Sequence, residues 1–81
     1  MIKVYYKTGC NKCTRAKTIL DAYGIKYTPI NLSEPDKREE RKFVREIGVE
    51  NLPIIVLEND KVIKDCNEDS LLALIRYGDI K

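Results

Sequence analysis

The residues best suited to do chemistry in this chain are two cysteines separated by two positions, Cys10 and Cys13. A strand-like run, Ile2 to Tyr6, precedes them, and a segment with helical spacing of apolar residues follows. Cys10 therefore falls where a helix begins, and the unpaired N–H groups and helix dipole there favour the thiolate form of its side chain. Lys7 and Lys12 add positive charge on either side of Cys10. The pattern predicts a reactive thiolate at Cys10.

Cys13 lies about one helical turn further on and continues the apolar stripe of the predicted helix, which includes Ala16, Ile19, Leu20 and Tyr23. We therefore expect it to be the less exposed thiol of the pair. A buried thiol beside a reactive one is placed to exchange disulfides with it.

A metal site is the alternative use of a Cys-x-x-Cys pair. Tetrahedral zinc sites and iron–sulfur clusters need four ligands, and this chain has three cysteines and no histidine. Cys66 is the only further thiol, so a metal or iron–sulfur module would need thiols from a second chain. The composition favours redox chemistry, and no metal ligand is assigned.

Composition excludes several other classes of function. The net charge of +2 arises from 15 basic and 13 acidic residues that are interspersed, whereas nucleic-acid binding usually shows as a clustered basic face. The densest charge run, Asp36 to Lys42, alternates in sign and is typical of a solvated helix face. The longest apolar run, Pro53 to Leu57, is far shorter than the roughly 20 residues that span a membrane.

The length of 81 residues predicts one domain spanning residues 1–81, with nearly every apolar segment needed for its core. Met1 is followed almost at once by Lys3 and a strand pattern, without the apolar centre of a signal peptide. We expect a cytoplasmic protein that acts as a monomer.

Apolar periodicity and breakers predict seven elements in the order β-α-β-α-β-β-α. Pro29 cannot donate to a strand ladder, so the second strand should lie at a sheet edge. The first two strands should be parallel with a right-handed helical crossover, and the last two should form an antiparallel hairpin. The predicted elements are strands at 2–6, 25–31, 54–57 and 62–64, and helices at 11–23, 33–47 (capped by Ser33) and 67–77 (capped by Asn67).

These elements predict an α/β fold in which a four-stranded mixed sheet has helices on both faces. The element order, the Cys-x-x-Cys after the first strand and the proline before the third strand together resemble the glutaredoxin branch of the thioredoxin-fold family. The resemblance covers essentially the whole chain. It implies that Pro53 is a cis-proline facing the dithiol, that the Leu52 backbone pairs with an extended substrate, and that Thr8 lines the site.

The resemblance also implies an activity, that of a thiol–disulfide oxidoreductase and electron carrier. Cys10 would attack a protein disulfide or a glutathione mixed disulfide, and Cys13 would resolve the intermediate. No cofactor would be tightly bound, and glutathione is one candidate reductant. The residues that would then frame this peptide-sized anion are Lys7, Thr8, Lys12, the Leu52–Pro53 backbone, Asn67 and Glu68.

The chain departs from the family where glutathione's amino end is usually held. Many glutaredoxins have a Gly-Gly pair followed by acidic residues there, whereas this chain has Lys64 to Glu68 without glycine. Asn67 and Glu68 can still accept an ammonium group, or they can simply start the last helix. Cys66, in the same stretch, is either a regulatory thiol or a small packed residue.

The pair between the cysteines, Asn11-Lys12, is a second departure, because many glutaredoxins have Pro-Tyr there. A polar pair also occurs in redoxins that serve ribonucleotide reductase and are recharged by thioredoxin reductase. Those redoxins carry a Trp-containing segment, and this chain has no tryptophan. Both electron sources therefore stay open, as does a third reading, a partner-binding domain without catalysis.

Overall fold

The computed structural model describes residues 1–48, 51–64 and 67–78. Within these ranges the order of elements is the predicted one. The elements are β1 (Ile2–Tyr6), α1 (Asn11–Ala22), β2 (Tyr27–Asn31), α2 (Arg38–Glu46), β3 (Ile54–Val56), β4 (Val62–Ile63) and α3 (Glu68–Arg76).

The four strands form one mixed sheet in the order β2-β1-β3-β4. β1 is parallel to β2 and antiparallel to β3, and β3 and β4 form an antiparallel hairpin. β2 is an edge strand, as its Pro29 predicts, with Pro29 opposite Val4. The predicted four-stranded mixed sheet is therefore confirmed.

Alternation along the two central strands sends side chains to two apolar clusters, one on each face of the sheet. Ile55 and Leu57 join the first cluster, whereas Ile54 and Val56 join the second. The first cluster contains Ala16 and Leu20 of α1 and Leu71 of α3. The second is covered by side chains from α2 and its C-terminal end, namely Phe43, Val44 and Ile47. Helices thus cover both faces, and all three residues of β3 are buried.

The predicted start of α2 at Ser33 is wrong, because the helix begins at Arg38. Residues 32–37 form turns instead, with Glu34 N–H bonded to the Asn31 carbonyl at 3.2 Å. The side-chain oxygen of Asn31 accepts the Ser33 N–H at 2.9 Å. Ser33 therefore caps no helix.

Two further details differ from the expected elements. Tyr23 is 58% exposed and does not continue the buried stripe of α1, since that helix ends at Ala22. Gly24 follows with φ +69°, the left-handed conformation that lets the chain leave the helix. β2 starts at Tyr27, two residues later than expected.

Candidate active site

Cys10 is the N-cap residue of α1. Its backbone is extended, with φ −89° and ψ 109°, and its Sγ accepts a hydrogen bond from the Cys13 N–H at 3.2 Å. A sulfur atom thus takes the place that a Ser, Thr or Asp oxygen usually takes at a helix start. Gly9 precedes it with φ +81°, a conformation that costs other residues energy. The loop therefore presents a half-buried thiol to the N–H groups of a helix.

Cys13 is completely buried, with 0% of its surface exposed. Burial, and after it the hydrogen bond with the Cys10 thiol, raises the pKa of Cys13 to about 12. Lys17 acts in the opposite direction through its positive charge, which favours the thiolate of Cys13. The Lys17 ammonium lies 3.6 Å from the centre of the Tyr6 ring. The pair is thus asymmetric, with an accessible sulfur at Cys10 and an enclosed thiol at Cys13.

Hydrogen bonds to the segment after β2 brace the loop that precedes Cys10. The Thr8 N–H donates to the Ser33 hydroxyl at 3.2 Å, and the Asn31 amide donates to the Thr8 hydroxyl at 3.1 Å. Leu32 N–H also donates to the Tyr6 carbonyl at 2.8 Å. The end of β2 therefore holds the approach to Cys10 in place.

Pro53 lies at the same end of the sheet as the dithiol. Tyr5 of β1 is opposite Ile54 of β3, so Pro53 stands one step further along, beside the point where β1 leads into the cysteine loop. The Leu52–Pro53 peptide bond is cis, Pro53 is fully buried, and Leu52 is half-buried against the second cluster.

Two clefts adjoin the cysteine loop, and we call them the α3-side cleft and the α2-side cleft after the helix beside each. The α3-side cleft, of about 270 Å³, is lined by Asn11, Lys12, Arg15, Ala16, Asn67 and Glu68. The α2-side cleft, of about 350 Å³, is lined by Lys7, Leu32, Arg41, Val44 and Arg45.

The structure brings Lys12, Asn67 and Glu68 together in the α3-side cleft and places Lys7 in the α2-side cleft. Asn67 caps α3, as the sequence predicts, because its side-chain oxygen accepts the Ser70 N–H at 2.8 Å. Glu68 forms an ion pair with Arg15 at 3.3 Å. Cys66 lies outside the described residues.

Sequence reasoning missed two arginines of these clefts. Arg15 follows Lys12 at a spacing of three on α1, so helical geometry places both on one side of the helix. In the structure that side faces Asn67 and Glu68 at the start of α3. Arg41 lies in the charge run that the sequence predicts to be a solvated helix face, yet the residue is half-buried and its guanidinium donates to three backbone carbonyls. These belong to Leu32 at 3.0 Å, Glu34 at 2.6 Å and Pro35 at 3.3 Å. Nothing local in the sequence indicates the Arg41 contacts.

Among the described residues, no three His, Cys, Asp or Glu side chains are grouped to hold a metal ion. None of the helices in the described ranges is long and apolar enough to cross a bilayer.

Comparison with solved structures identifies similar folds. The chain superposes on the glutaredoxin-like protein NrdH-redoxin from Escherichia coli with a TM-score of 0.76 at 22% identity, covering 90% of this chain and 92% of that one. Buckwheat glutaredoxin, solved as a complex with glutathione, gives 0.70 at 25% identity, covering 95% and 69%. Glutaredoxin from Brucella melitensis gives 0.65 at 28% identity, covering 96% and 80%. Comparison with curated protein sequences gave no match.

The fold shared with these structures is thioredoxin-like, and it places the Cys10/Cys13 pair at the start of α1. The sequence profile of one family, glutaredoxin, matches residues 2–63. This family match and the cysteine pair together define a class, the thiol–disulfide redox proteins. The chain belongs to the glutaredoxin family.

Proposed function

We propose that this chain is a dithiol oxidoreductase that reduces disulfides of proteins, or mixed disulfides of glutathione, with Cys10 as the nucleophile and Cys13 as the resolving thiol. One observation carries the proposal. The Cys10 sulfur is half-buried and accepts the Cys13 N–H at the start of α1, whereas the Cys13 side chain is fully enclosed. A thiolate gains most from that helix-terminal position, and only the accessible sulfur can meet a substrate disulfide.

The reaction proceeds in two exchanges. The Cys10 thiolate attacks one sulfur of the substrate disulfide, forms a mixed disulfide, and expels the other sulfur as a thiolate that takes up a proton. Cys13 then loses its proton and attacks the Cys10 sulfur, which releases the second substrate thiol. Two electrons and two protons pass to the substrate, and the chain is left with a Cys10–Cys13 disulfide.

The environment of Cys13 suits this order of events. While Cys10 is free, burial and the contact with its thiol keep Cys13 protonated. Once Cys10 is engaged in a mixed disulfide, its part in raising the pKa of Cys13 is lost, while the opposing charge of Lys17 remains. Cys13 therefore becomes easier to ionise at the stage where its thiolate is needed.

Glutathione is one candidate for the electron source that returns the disulfide to the dithiol. In this proposal Lys7 of the α2-side cleft receives a carboxylate, and Asn67 and Glu68 of the α3-side cleft receive the amino group. The backbone at Leu52 would pair with the peptide between these ends. This is the role we propose for those residues if glutathione is the reductant.

Thioredoxin reductase is the second candidate, in which case the chain would act as a redoxin for a protein such as ribonucleotide reductase. The ion pair between Arg15 and Glu68 favours it, because Arg15 already occupies the carboxylate that would hold glutathione's amino group. Asn11 and Lys12, in place of Pro-Tyr, agree with such a redoxin.

A coupled turnover assay with NADPH tests the activity and separates the two electron sources. One arm supplies glutathione with glutathione reductase, the other supplies thioredoxin reductase, and each uses an insulin disulfide as substrate. We expect turnover in one arm, complete loss in Cys10→Ser, and a trapped mixed disulfide visible by mass spectrometry in Cys13→Ser. Cys66→Ser is the matched control and should keep full activity. Absence of turnover in both arms, or loss in Cys66→Ser equal to that in Cys10→Ser, would refute the assignment.

A further inference from the structure

The two clefts beside the dithiol share one property, an excess of positive charge among the residues that line them. Among the described residues, the lining of the α2-side cleft includes three cations, Lys7, Arg41 and Arg45, and no carboxylate. The hydrogen bonds of Arg41 go to backbone carbonyls, which orient its guanidinium without neutralising it. Leu32 and Val44 complete the lining with apolar surface. The cleft therefore fits an aliphatic side chain that ends in a negative group.

In the part of the chain that the structure describes, one carboxylate lines the α3-side cleft, that of Glu68, and it forms an ion pair. Arg15 donates to it at 3.3 Å, across the gap between α1 and α3. The Lys12 ammonium, between the two cysteines, then has no carboxylate partner among those lining residues that the structure describes. A cationic group entering this cleft would have to compete with Arg15 for Glu68. An anionic group in this cleft would lie near the Lys12 ammonium and the Arg15 guanidinium.

The clefts adjoin the two ends of the Cys10 loop, since one is lined by Lys7, before Cys10, and the other by Lys12, after it. A chain bound with its disulfide at Cys10 would extend past one cleft on either side of its cystine. We propose that the preferred substrates are protein disulfides within acidic segments, with an Asp or Glu on each side of the cystine, and that Arg15 determines this specificity by holding Glu68. This inference rests on the proposed dithiol activity and adds the class of its substrate.

Three disulfide-linked peptides of identical length test the preference. They differ only at the two positions flanking the cystine, which hold Glu in the first, Gln in the second and Lys in the third. The rate of reduction by the fully reduced chain is measured in single turnover at 20 mM and 200 mM salt. At low salt we expect the Glu peptide to react about fivefold faster than the Gln peptide, and the Lys peptide about fivefold slower, from electrostatic steering. Screening should bring the three rates within about twofold of one another at 200 mM.

Three variants and one control test which residues cause the preference for the Glu peptide. Arg45→Gln and Lys12→Gln should each lower the Glu-to-Gln rate ratio by about twofold, because each removes one cation of a partly exposed pair. Arg15→Gln should lower that ratio and raise the rate with the Lys peptide, because it frees the Glu68 carboxylate. Lys61→Gln is the matched control, since Lys61 is exposed at the hairpin turn at the opposite end of β3 from Pro53. Its three rates should equal those of the wild type.

The outcomes separate this inference from the activity on which it rests. Equal rates with all three peptides at low salt would overturn the acidic preference and leave the dithiol activity standing. A preference for the Glu peptide that survives in Arg15→Gln, with no gain for the Lys peptide, would overturn the role of Arg15. Failure to reduce any of the three peptides would refute the proposed function itself.

Discussion

Raising the pH from 8 to 10 should destabilise the reduced chain through one side chain, that of Cys13. The pKa of this thiol rises from its ordinary 9.0 to about 12 in the folded chain, chiefly because it is buried. The unfolded chain therefore releases this proton first, and higher pH favours unfolding. The stabilisation is complete below about pH 9 and is lost progressively as the pH approaches 12.

The size of the effect follows from the two pKa values. Between them the folded chain binds about one proton more than the unfolded chain, which makes the slope about 1.4 kcal/mol per pH unit. Integrated from pH 8 to pH 10, the free energy of unfolding should fall by about 1.4 kcal/mol through Cys13 alone. Tyr5 and Tyr27 also have raised pKa values, mainly through burial, so a comparison with a variant is needed to isolate Cys13.

Urea unfolding followed by circular dichroism, with a phosphine reductant present, measures this difference at pH 7, 8, 9 and 10. Wild type should lose about 1.4 kcal/mol more than Cys13→Ala between pH 8 and 10, because the other titrating groups are common to both chains. Thr18→Ala, on the exposed side of the same helix, should keep the wild-type dependence. If wild type and Cys13→Ala lose equal stability, the Cys13 pKa is not raised and the argument fails.

Three substitutions test other parts of the structure by urea unfolding. Asn67→Ala removes the α3 cap bond to Ser70 N–H and should cost about 1 kcal/mol of unfolding free energy; an unchanged midpoint would contradict the cap. Arg41→Met leaves three loop carbonyls without their donor and should lower the free energy of unfolding by about 1–3 kcal/mol. Its control is Arg38→Met, on the exposed start of α2, which should change the free energy of unfolding by less than about 0.5 kcal/mol. Leu20→Ala opens a cavity between α1 and the sheet and should cost about 2–5 kcal/mol; a smaller cost would mean that the core closes around the gap.

Much of the fold was predictable because its signals are local. Pro29 indicates an edge strand through its missing N–H, and Asn67 indicates a helix start through its side-chain oxygen; the structure confirms both. The continuous apolar run of β3 predicts a strand covered on both faces, and it is covered on both. In each case one residue type has one common structural use.

The start of α2 was not predictable, because contacts between residues distant in sequence decide where this helix begins. Ser33 has the side chain of a helix cap, but its hydroxyl is used by Thr8, which lies 25 positions away. Arg41 then holds the carbonyls of the turns that replace the first part of the helix. These contacts exist only once the sheet has brought β1 and β2 together, so the sequence near Ser33 contains no sign of them.

The candidate site also has one part that the sequence predicts and one part that it does not. Cys10 and Cys13 stand out by spacing alone, whereas the pairing of Arg15 with Glu68 joins residues 53 positions apart. That pairing changes the charge that a ligand meets in the α3-side cleft. The Glu68 carboxylate, which the sequence offers as an acceptor for an ammonium group, is thus paired with a cation of the chain itself.

The sulfur cap of α1 has a thermodynamic consequence that runs against the proposed direction of electron flow. A thiolate at Cys10 would accept a stronger hydrogen bond from the Cys13 N–H than a neutral disulfide sulfur does. The start of α1 is then more stable in the reduced chain than in the oxidised chain. By linkage, whatever free energy the helix gives to the thiolate also stabilises the reduced state relative to the oxidised one. A redox protein whose reduced form is stabilised becomes a weaker electron donor. If Cys10 is the nucleophile that we propose, the contact at its sulfur thus also limits how strongly reducing this chain can be.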